Sequence, residues 1–284
     1  MVTALGKSHD NFLDHPLVHA YVSLRAFGNL TKHLDAVLGE VRTRTSPGAR
    51  ILSLGCGDGI DELAMAKAFP DRAFEGVDRE PAQLEAARAA ADSQRVDNLL
   101  FRCEDIEEIA LDRGSFDIVI GRNVIHHIKN LEHLWSEIRS ALRPSGAVLV
   151  QDYVGPDRFQ WTDEQVEWCN RTLADLVPEH HKSHHDHVSP ALTSKLLAQD
   201  SSQAIRSSEI IPTCTAAGFS MQGQAQSGGA LLQPVLMGQW QTFDPANWEH
   251  NWILSTLFRE EARLMAEERL GSDFAMFVAV PTGS

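Results

Sequence analysis

Leu54-Gly55-Cys56-Gly57-Asp58-Gly59 is a glycine-rich turn that follows a short apolar run, and Asp78 comes 19 residues after Gly59. Glycine adopts backbone angles that a Cβ forbids and lets the chain pass close under a ligand. An acidic side chain at the end of the next strand is placed to accept hydrogen bonds from both ribose hydroxyls of an adenosine. Two other nucleotide signatures fail. Ile60 stands where a dinucleotide fingerprint needs its third glycine, and no Gly-Lys-Ser/Thr ending marks a Walker loop. Farther along, His126, His127, Asp152 and Tyr153 are residue types that move protons. His180, His181, His184, His185 and His187 form a run whose spacing would suit metal ligands on a helix. Pro178 and the polar composition make that run a loop, and no carboxylate-rich motif accompanies it. It reads as a solvated lid loop, and no metal is assigned.

The elements that must position these residues read as an α/β sheet. Residues 48–152 alternate short apolar runs with helical patterns, the mark of a parallel sheet with helices on both faces. Strands are expected at 51–54, 73–78, 99–103, 116–121 and 147–152, with a turn at 143–146. Helices follow the glycine turn and occupy 81–91 and 131–142, the last with Leu131, Leu134, Trp135, Ile138 and Leu142 on one face. Residues 12–43 read as one or two amphipathic helices. Thr162-Asp163-Glu164-Gln165 reads as a capping box, with Val166, Cys169, Leu173, Leu176 and Val177 inward. A short helix covers SSEIIPTCTAAG, and strands at 219–225 and 274–280 close the sheet around a helical insertion at about 230–271, whose last helix should end at Gly271. Four segments result: a helical N-terminal lid (1–47), a cofactor-binding core (48–155), a helical and His-rich lid insertion (156–206), and the C-terminal part of the core (207–284).

Composition narrows the partners. The chain has 284 residues, 43% of them apolar and 23% charged, which excludes a disordered or low-complexity chain. A net charge of −14 without any Lys/Arg cluster disfavours nucleic acid. No apolar run approaches the roughly 18 residues of a membrane span. The N-terminal MVTALGKSHD lacks the apolar stretch of a signal peptide, and Cys56, Cys103, Cys169 and Cys214 are scattered without a CxxC pair. The cytoplasm is the expected compartment, and assembly as a homodimer is left open.

The glycine turn, Asp78 and their context resemble the nucleotide motif of class I S-adenosylmethionine-dependent methyltransferases, over about residues 48–155. CEDIEEI (103–109) is similar to the family's third motif, FDIVIGRNVIHHI (116–128) to its fourth, and LRPSGAVLVQDY (142–153) to its helix, turn and fifth strand. The resemblance implies a Rossmann-like seven-stranded, mostly parallel sheet with helices on both faces, ended by an antiparallel hairpin of strands six and seven, plus helical N-terminal and lid insertions. It implies S-adenosyl-L-methionine as cofactor, held by Gly55, Cys56, Gly57, Gly59, Asp78 and Arg79. It implies Asp105 on the adenine amino group, the Ile106 backbone on the ring, and Arg122 and Asn123 against the methionine part. Glu104 stands where the family often has Gly, and its side chain is expected to point to solvent. A magnesium-dependent catechol-type site would need an acid where Arg122 and Asn123 stand.

Methyl transfer from a sulfonium needs mainly alignment, and a phenol or alcohol acceptor also gains from a general base. Asp152, His126 and Tyr153, at the ends of strands four and five, are the catalytic candidates; His127 reads as packing and bonding backbone. Tyr21 and Arg25, one helical turn apart, Trp161, and Arg206 beside Glu209 are substrate-binding candidates. For Arg206-Ser207-Ser208-Glu209 a helix cap by Ser207 or Ser208 is the competing reading. Phe159, Trp161, Trp168, Trp240, Trp248 and Trp252 could line an apolar pocket. The expected reaction is methylation of an O, N or C atom of a small, apolar or aromatic metabolite. The alternatives are a protein or nucleic-acid methyltransferase, disfavoured by charge and by GRNV after strand four, and a silent partner protein of the same fold.

Overall fold

The computed structural model describes residues 15–28, 30, 32–181, 186–237 and 240–283. They form two units, each built from separated stretches of chain: one from within residues 1–31, 160–196 and 227–273, the other from 32–159, 197–226 and 274–284.

The second unit holds the sheet, ordered β3-β2-β1-β4-β5-β7-β6. Its strands are β1 (Arg50–Leu54), β2 (Ala73–Asp78), β3 (Leu99–Cys103), β4 (Phe116–Arg122), β5 (Leu142–Tyr153), β6 (Phe219–Gly228) and β7 (Phe274–Pro281). β1 to β5 pair in parallel and β7 runs antiparallel to β5. Alternate residues face opposite sides of a strand, and both sides are buried here. Leu52, Leu54, Val119, Val148, Val150 and Phe277 belong to one core, while Ile51, Ile118, Ile120, Leu149 and Val278 belong to the other. β5 starts earlier than the sequence suggested, at Leu142 beside Phe116; residues 143–146, read as a turn, lie inside a register shift without a partner on β4, and pairing resumes at Ala147 beside Ile118.

The helices are α1 (Pro16–Phe27), α2 (His33–Arg44), α3 (Ile60–Ala68), α4 (Pro81–Ser93), α5 (Leu131–Ala141), α6 (Asp163–Leu176), α7 (Pro190–Gln199), α8 (Ile210–Ala216), α9 (Leu232–Leu236) and α10 (Trp248–Ala266). α5 buries Leu131, Leu134, Trp135 and Ile138, and Trp135 Nε1–H donates to Thr213 Oγ1 at 3.0 Å. The capping box at α6 is half made. Thr162 Oγ1 accepts from Gln165 N–H at 3.1 Å, but Gln165 Nε2 donates away, to the Ala230 carbonyl at 2.8 Å and Asp273 Oδ2 at 2.9 Å. α10 ends at Ala266 rather than at Gly271. Glu268, with φ 56°, takes the left-handed position, and the Arg269 and Glu268 N–H groups close on the Leu264 and Met265 carbonyls. Among the described residues, no helix is long and apolar enough to cross a membrane.

Candidate active site

Parallel pairing brings the carboxyl ends of β1 to β5 to one edge of the sheet: Leu54 lies beside Val77 and Gly121, Asp78 beside Cys103, and Arg122 beside Gln151. Gly55, Gly57 and Gly59 leave β1 with φ of 64°, 54° and 69°. Gly57 N–H donates to Asp78 Oδ2 at 2.8 Å, and Glu80 N–H donates to Asp78 Oδ1 at 3.0 Å. A carboxylate offers about four lone-pair positions. Each Asp78 oxygen has used one, so each keeps one acceptor, which suits the two adjacent hydroxyls of a ribose. A Cβ at Gly57 would meet only Gln83 Oε1, at 3.0 Å. One at Gly59 would strike the Phe101 ring at 2.6 Å and Ala87 at 2.9 Å. Gly59 is therefore required by packing, whereas at Gly57 the left-handed backbone itself calls for glycine. These residues fit an adenosine-type cofactor.

Around the turn, the Cys56 N–H donates to the Val77 carbonyl at 3.1 Å. Burial, with Glu62 and Asp78 nearby, pushes the Cys56 thiol above its ordinary range, so it stays protonated. Arg79 projects into solvent, 3.7 Å from Glu80. Asp105 is exposed and its Oδ1 accepts from Glu107 N–H at 3.0 Å, while Ile106 is buried. Glu104 stays open to solvent, its side chain 40% exposed, and is ion-paired with Arg102, which also donates to Glu75 at 2.6 Å. Arg122 pairs with Asp61, and its buried Nε has no hydrogen-bond partner among the described residues. Asn123 is exposed, has φ 49°, and donates its N–H to the Gln151 carbonyl at 2.9 Å.

Asp61 and Glu62 were missed in the sequence. Ser53 Oγ donates to buried Glu62 Oε1 at 2.6 Å, and burial pushes the Glu62 carboxyl up to about 7. Ser53 in the otherwise apolar ILSL was the available signal, since a buried hydroxyl requires a partner.

The proton-transfer candidates meet between β4 and β5. Asp152 is fully buried, and four donors fill it: Val124 N–H at 3.1 Å and Ile125 N–H at 2.7 Å on Oδ2, Tyr153 N–H at 2.8 Å and His126 Nδ1 at 2.5 Å on Oδ1. This corrects the reading of Asp152 as a direct base, because no face of it reaches a ligand. Tyr153 is also corrected. Its hydroxyl donates to the Pro156 carbonyl at 3.3 Å, and its buried ring meets Phe159 and Phe274 edge-on. His127 Nδ1 lies 3.1 Å from the Ser202 carbonyl, and burial, then the His126 ring 4.0 Å away, push it down to about 4. Residues 200–206 run past this pair: Ile205 N–H donates to the His126 carbonyl at 2.9 Å, and Ala204 (φ 49°) accepts from Arg158 N–H at 2.5 Å. Non-glycine residues at positive φ (Arg158, Phe159, Ala204 and Asn123) gather around the ends of β4 and β5, and such strain tends to persist at functional sites.

Of the substrate-binding candidates, Arg206 is committed elsewhere. It donates to both Glu132 oxygens at 2.7 Å, to Glu209 and to the Lys129 carbonyl, and this pairing holds the Glu132 carboxyl down at about 2. The serine cap is absent too, since Ser207 Oγ donates to the Gly155 carbonyl. In the other unit, Tyr21 stacks on Phe258 at 4.6 Å and donates to Glu261 Oε1 at 3.0 Å. Arg25 is half-buried and its Nε has no hydrogen-bond partner among the described residues. Trp161 is buried, Trp168 is covered by the guanidinium groups of Arg171, Arg263 and Arg269, and Trp248 and Trp252 are 78% and 55% exposed. Among the described residues, no His, Cys, Asp and Glu cluster could hold a metal ion; His184 and His185 lie outside them.

A family model described as a methyltransferase domain matches residues 45–212, more than half of the chain. Malonyl-[acyl-carrier protein] O-methyltransferase of Bacillus cereus is 31% identical over 144 residues, covering 50% of this chain and 52% of that protein. The 27-O-demethylrifamycin SV methyltransferase of Amycolatopsis mediterranei is 27% identical over 187 residues, covering 61% and 68%. The chain spans about half the length of the first of these relatives. The geranyl diphosphate C-methyltransferase of Streptomyces coelicolor, solved with S-adenosyl-L-homocysteine, shares the fold with a TM-score of 0.57 at 13% identity, over 87% of this chain and 78% of that one. The chain belongs to the class I S-adenosylmethionine-dependent methyltransferase family, and S-adenosylmethionine is its cofactor.

Proposed function

We propose that the protein methylates a small metabolite, apolar or aromatic in character, and that Asp78 with the Gly55–Gly59 turn holds the ribose end of the cofactor. The observation that carries this reading is the Asp78 carboxylate, fixed by Gly57 and Glu80 N–H groups while keeping one acceptor on each oxygen. When bound, the cofactor supplies a methyl group on a sulfonium and departs as a thioether. Asp105, the Ile106 backbone, Arg122 and Asn123 surround the rest of it, at the ends of β3 and β4. The relatives support a small acceptor, one acting on a carrier-bound malonyl group and one on a demethylated rifamycin. The net charge of −14 opposes a nucleic-acid acceptor, and the free Cys56, Cys103, Cys169 and Cys214 suit a reducing cytoplasm.

The test is a mass-spectrometric screen of metabolite pools incubated with the protein and methyl-labelled S-adenosylmethionine. A labelled small molecule formed together with S-adenosylhomocysteine is the expected result. Label appearing only in added protein or nucleic acid would overturn the small-molecule assignment.

A further inference from the structure

Ser53 breaks the apolar run of β1, and other polar side chains share its side of the sheet. Ser53 pairs with Ile120, and Arg122, two residues farther along β4, pairs with Gln151. Paired residues, and alternate residues along a strand, point to the same face. Ser53, Arg122 and Gln151 therefore stand on one face, at the carboxyl ends of β1, β4 and β5, and Asp152 faces the other. The first turn of α3 brings two carboxylates to the same place: Glu62 Oε1 accepts from Ser53 Oγ at 2.6 Å, and Asp61 pairs with Arg122.

Two polar atoms of this group are orphaned. Gln151 is 8% exposed and its Oε1 has no hydrogen-bond partner among the described residues; nor has the buried Arg122 Nε. Buried polar atoms are paired in the large majority of cases. One orphan is an acceptor and the other a donor. Asp61 occupies Arg122 Nη1, which leaves the guanidinium edge formed by Nε and Nη2, the edge that can grip a carboxylate. Asp61 also balances the Arg122 charge, so an ionised Glu62 carries one negative charge without a partner. Ser53 is the one side chain that hydrogen-bonds Glu62, and burial pushes its carboxyl up to about 7. A cation beside it would hold it ionised. Acids in a first helical turn often serve only the helix dipole, but Glu62 is buried against Ser53, and Gln151 belongs to another element. A ligand group that offers a cationic donor and an anionic acceptor on one carbon, the head of an α-amino acid, matches this set.

We propose that Glu62 and Gln151 Oε1 receive the α-ammonium of the cofactor's methionine end, and that the Nε edge of Arg122, held by Asp61, receives its carboxylate. This rests on the methyltransferase reading above and adds to it the side chains that recognise the zwitterion. Ser53 is then a positioning residue, which keeps the Glu62 carboxylate turned toward the sheet edge.

The experiment is calorimetric titration of the wild type, Glu62→Gln and Gln151→Leu with two thioethers. S-adenosylhomocysteine carries the amino-acid end; 5′-methylthioadenosine has a methyl group in its place. Neither has a sulfonium, so a difference between them belongs to the zwitterion. The wild type should bind S-adenosylhomocysteine roughly tenfold or more tighter than methylthioadenosine. Glu62→Gln keeps an oxygen for Ser53 and removes the charge. It should weaken S-adenosylhomocysteine roughly ten- to a hundredfold, the worth of a hydrogen bond between charged groups, with methylthioadenosine changed less than about twofold. Gln151→Leu should weaken S-adenosylhomocysteine roughly tenfold, yet leave the melting temperature of the free protein unchanged or higher, because an orphaned carbonyl is replaced by carbon. A merely structural Gln151 would do the opposite. No heat from either thioether in the wild type overturns the methyltransferase reading and this proposal with it. Equal wild-type affinity for the two overturns this proposal alone, even should neither variant fold. Unchanged S-adenosylhomocysteine affinity in either folded variant, or equal loss of both thioethers in Glu62→Gln, also overturns it.

Discussion

Gly57 and Gly59 share a left-handed backbone and differ in what surrounds them. A methyl at Gly57 meets one flexible amide oxygen, whereas a methyl at Gly59 meets the Phe101 ring and Ala87. Gly57→Ala should cost roughly 1–2 kcal/mol of stability for its backbone alone. Gly59→Ala should cost about 1–3 kcal/mol more through overpacking. Cofactor affinity should fall mainly in the first. Denaturant unfolding of both variants, with cofactor titration of each, checks the order; equal losses in both quantities would contradict it. At this scale the sequence showed residue types well and partners poorly. Asp152 and His126 were both legible as strand-end groups, but not their contact. The N–H groups that fill Asp152 belong to Val124 and Ile125, whose apolar side chains say nothing about where their backbones point. Arg206 looked free for substrate because Glu132, which binds it, is far away in sequence.

Elements that return to one place through buried charge depend on single residues. Glu261 on α10 is fully buried and accepts from the Gly229, Leu231 and Leu232 N–H groups and from the Tyr21 hydroxyl, joining α1, α10 and the turn before α9. Glu261→Gln keeps the shape but sets an NH2 donor against N–H donors. It should destabilise by about 2–3 kcal/mol, because buried N–H donors lose hydrogen bonds to a carboxylate and one of them is left facing a donor. Tyr21→Phe, which removes one donor, should cost only about 1 kcal/mol. Thermal and denaturant unfolding of the pair checks this, and equal small losses would mean that Glu261 does not hold the three elements. Strand positions were legible because both faces of the sheet are buried, which gives short continuous apolar runs. Helix ends were less so. Gly271 looked like the stop of α10, yet Glu268 adopts the left-handed angle and the helix closes five residues earlier, at Ala266.

For the molecule as a whole, buried acids set the direction of its pH response. Burial raises Glu62 and Asp273 to about 7 from ordinary values of 4.5 and 3.8. A group raised in the folded state contributes stability that is full below its unfolded value and lost as pH rises through the folded one. His127 runs the other way: lowered to about 4 from 6.5, it contributes above 6.5 and loses that contribution as pH falls toward 4. Between about pH 8 and pH 6.5 only the acids change much, so stability should rise by about 1 kcal/mol on acidification over that range. Glu62→Gln should remove roughly half of that gain, and a melting temperature that falls toward pH 6.5 would contradict the assignment. The division into two discontinuous units could not be read along the chain, because each gathers stretches separated by more than a hundred residues. The family and its cofactor turn were legible, since their signal lies in a short, ordered run of motifs. The account's central claim is that this turn, with Asp78, holds S-adenosylmethionine, and calorimetric titration of the cofactor tests it most directly. The wild type should bind, and Asp78→Ala and Asp78→Asn, each shown to be folded, should bind roughly ten- to a hundredfold more weakly, the worth of hydrogen bonds to a charged group; no heat in the wild type, or equal affinity in all three, would contradict it.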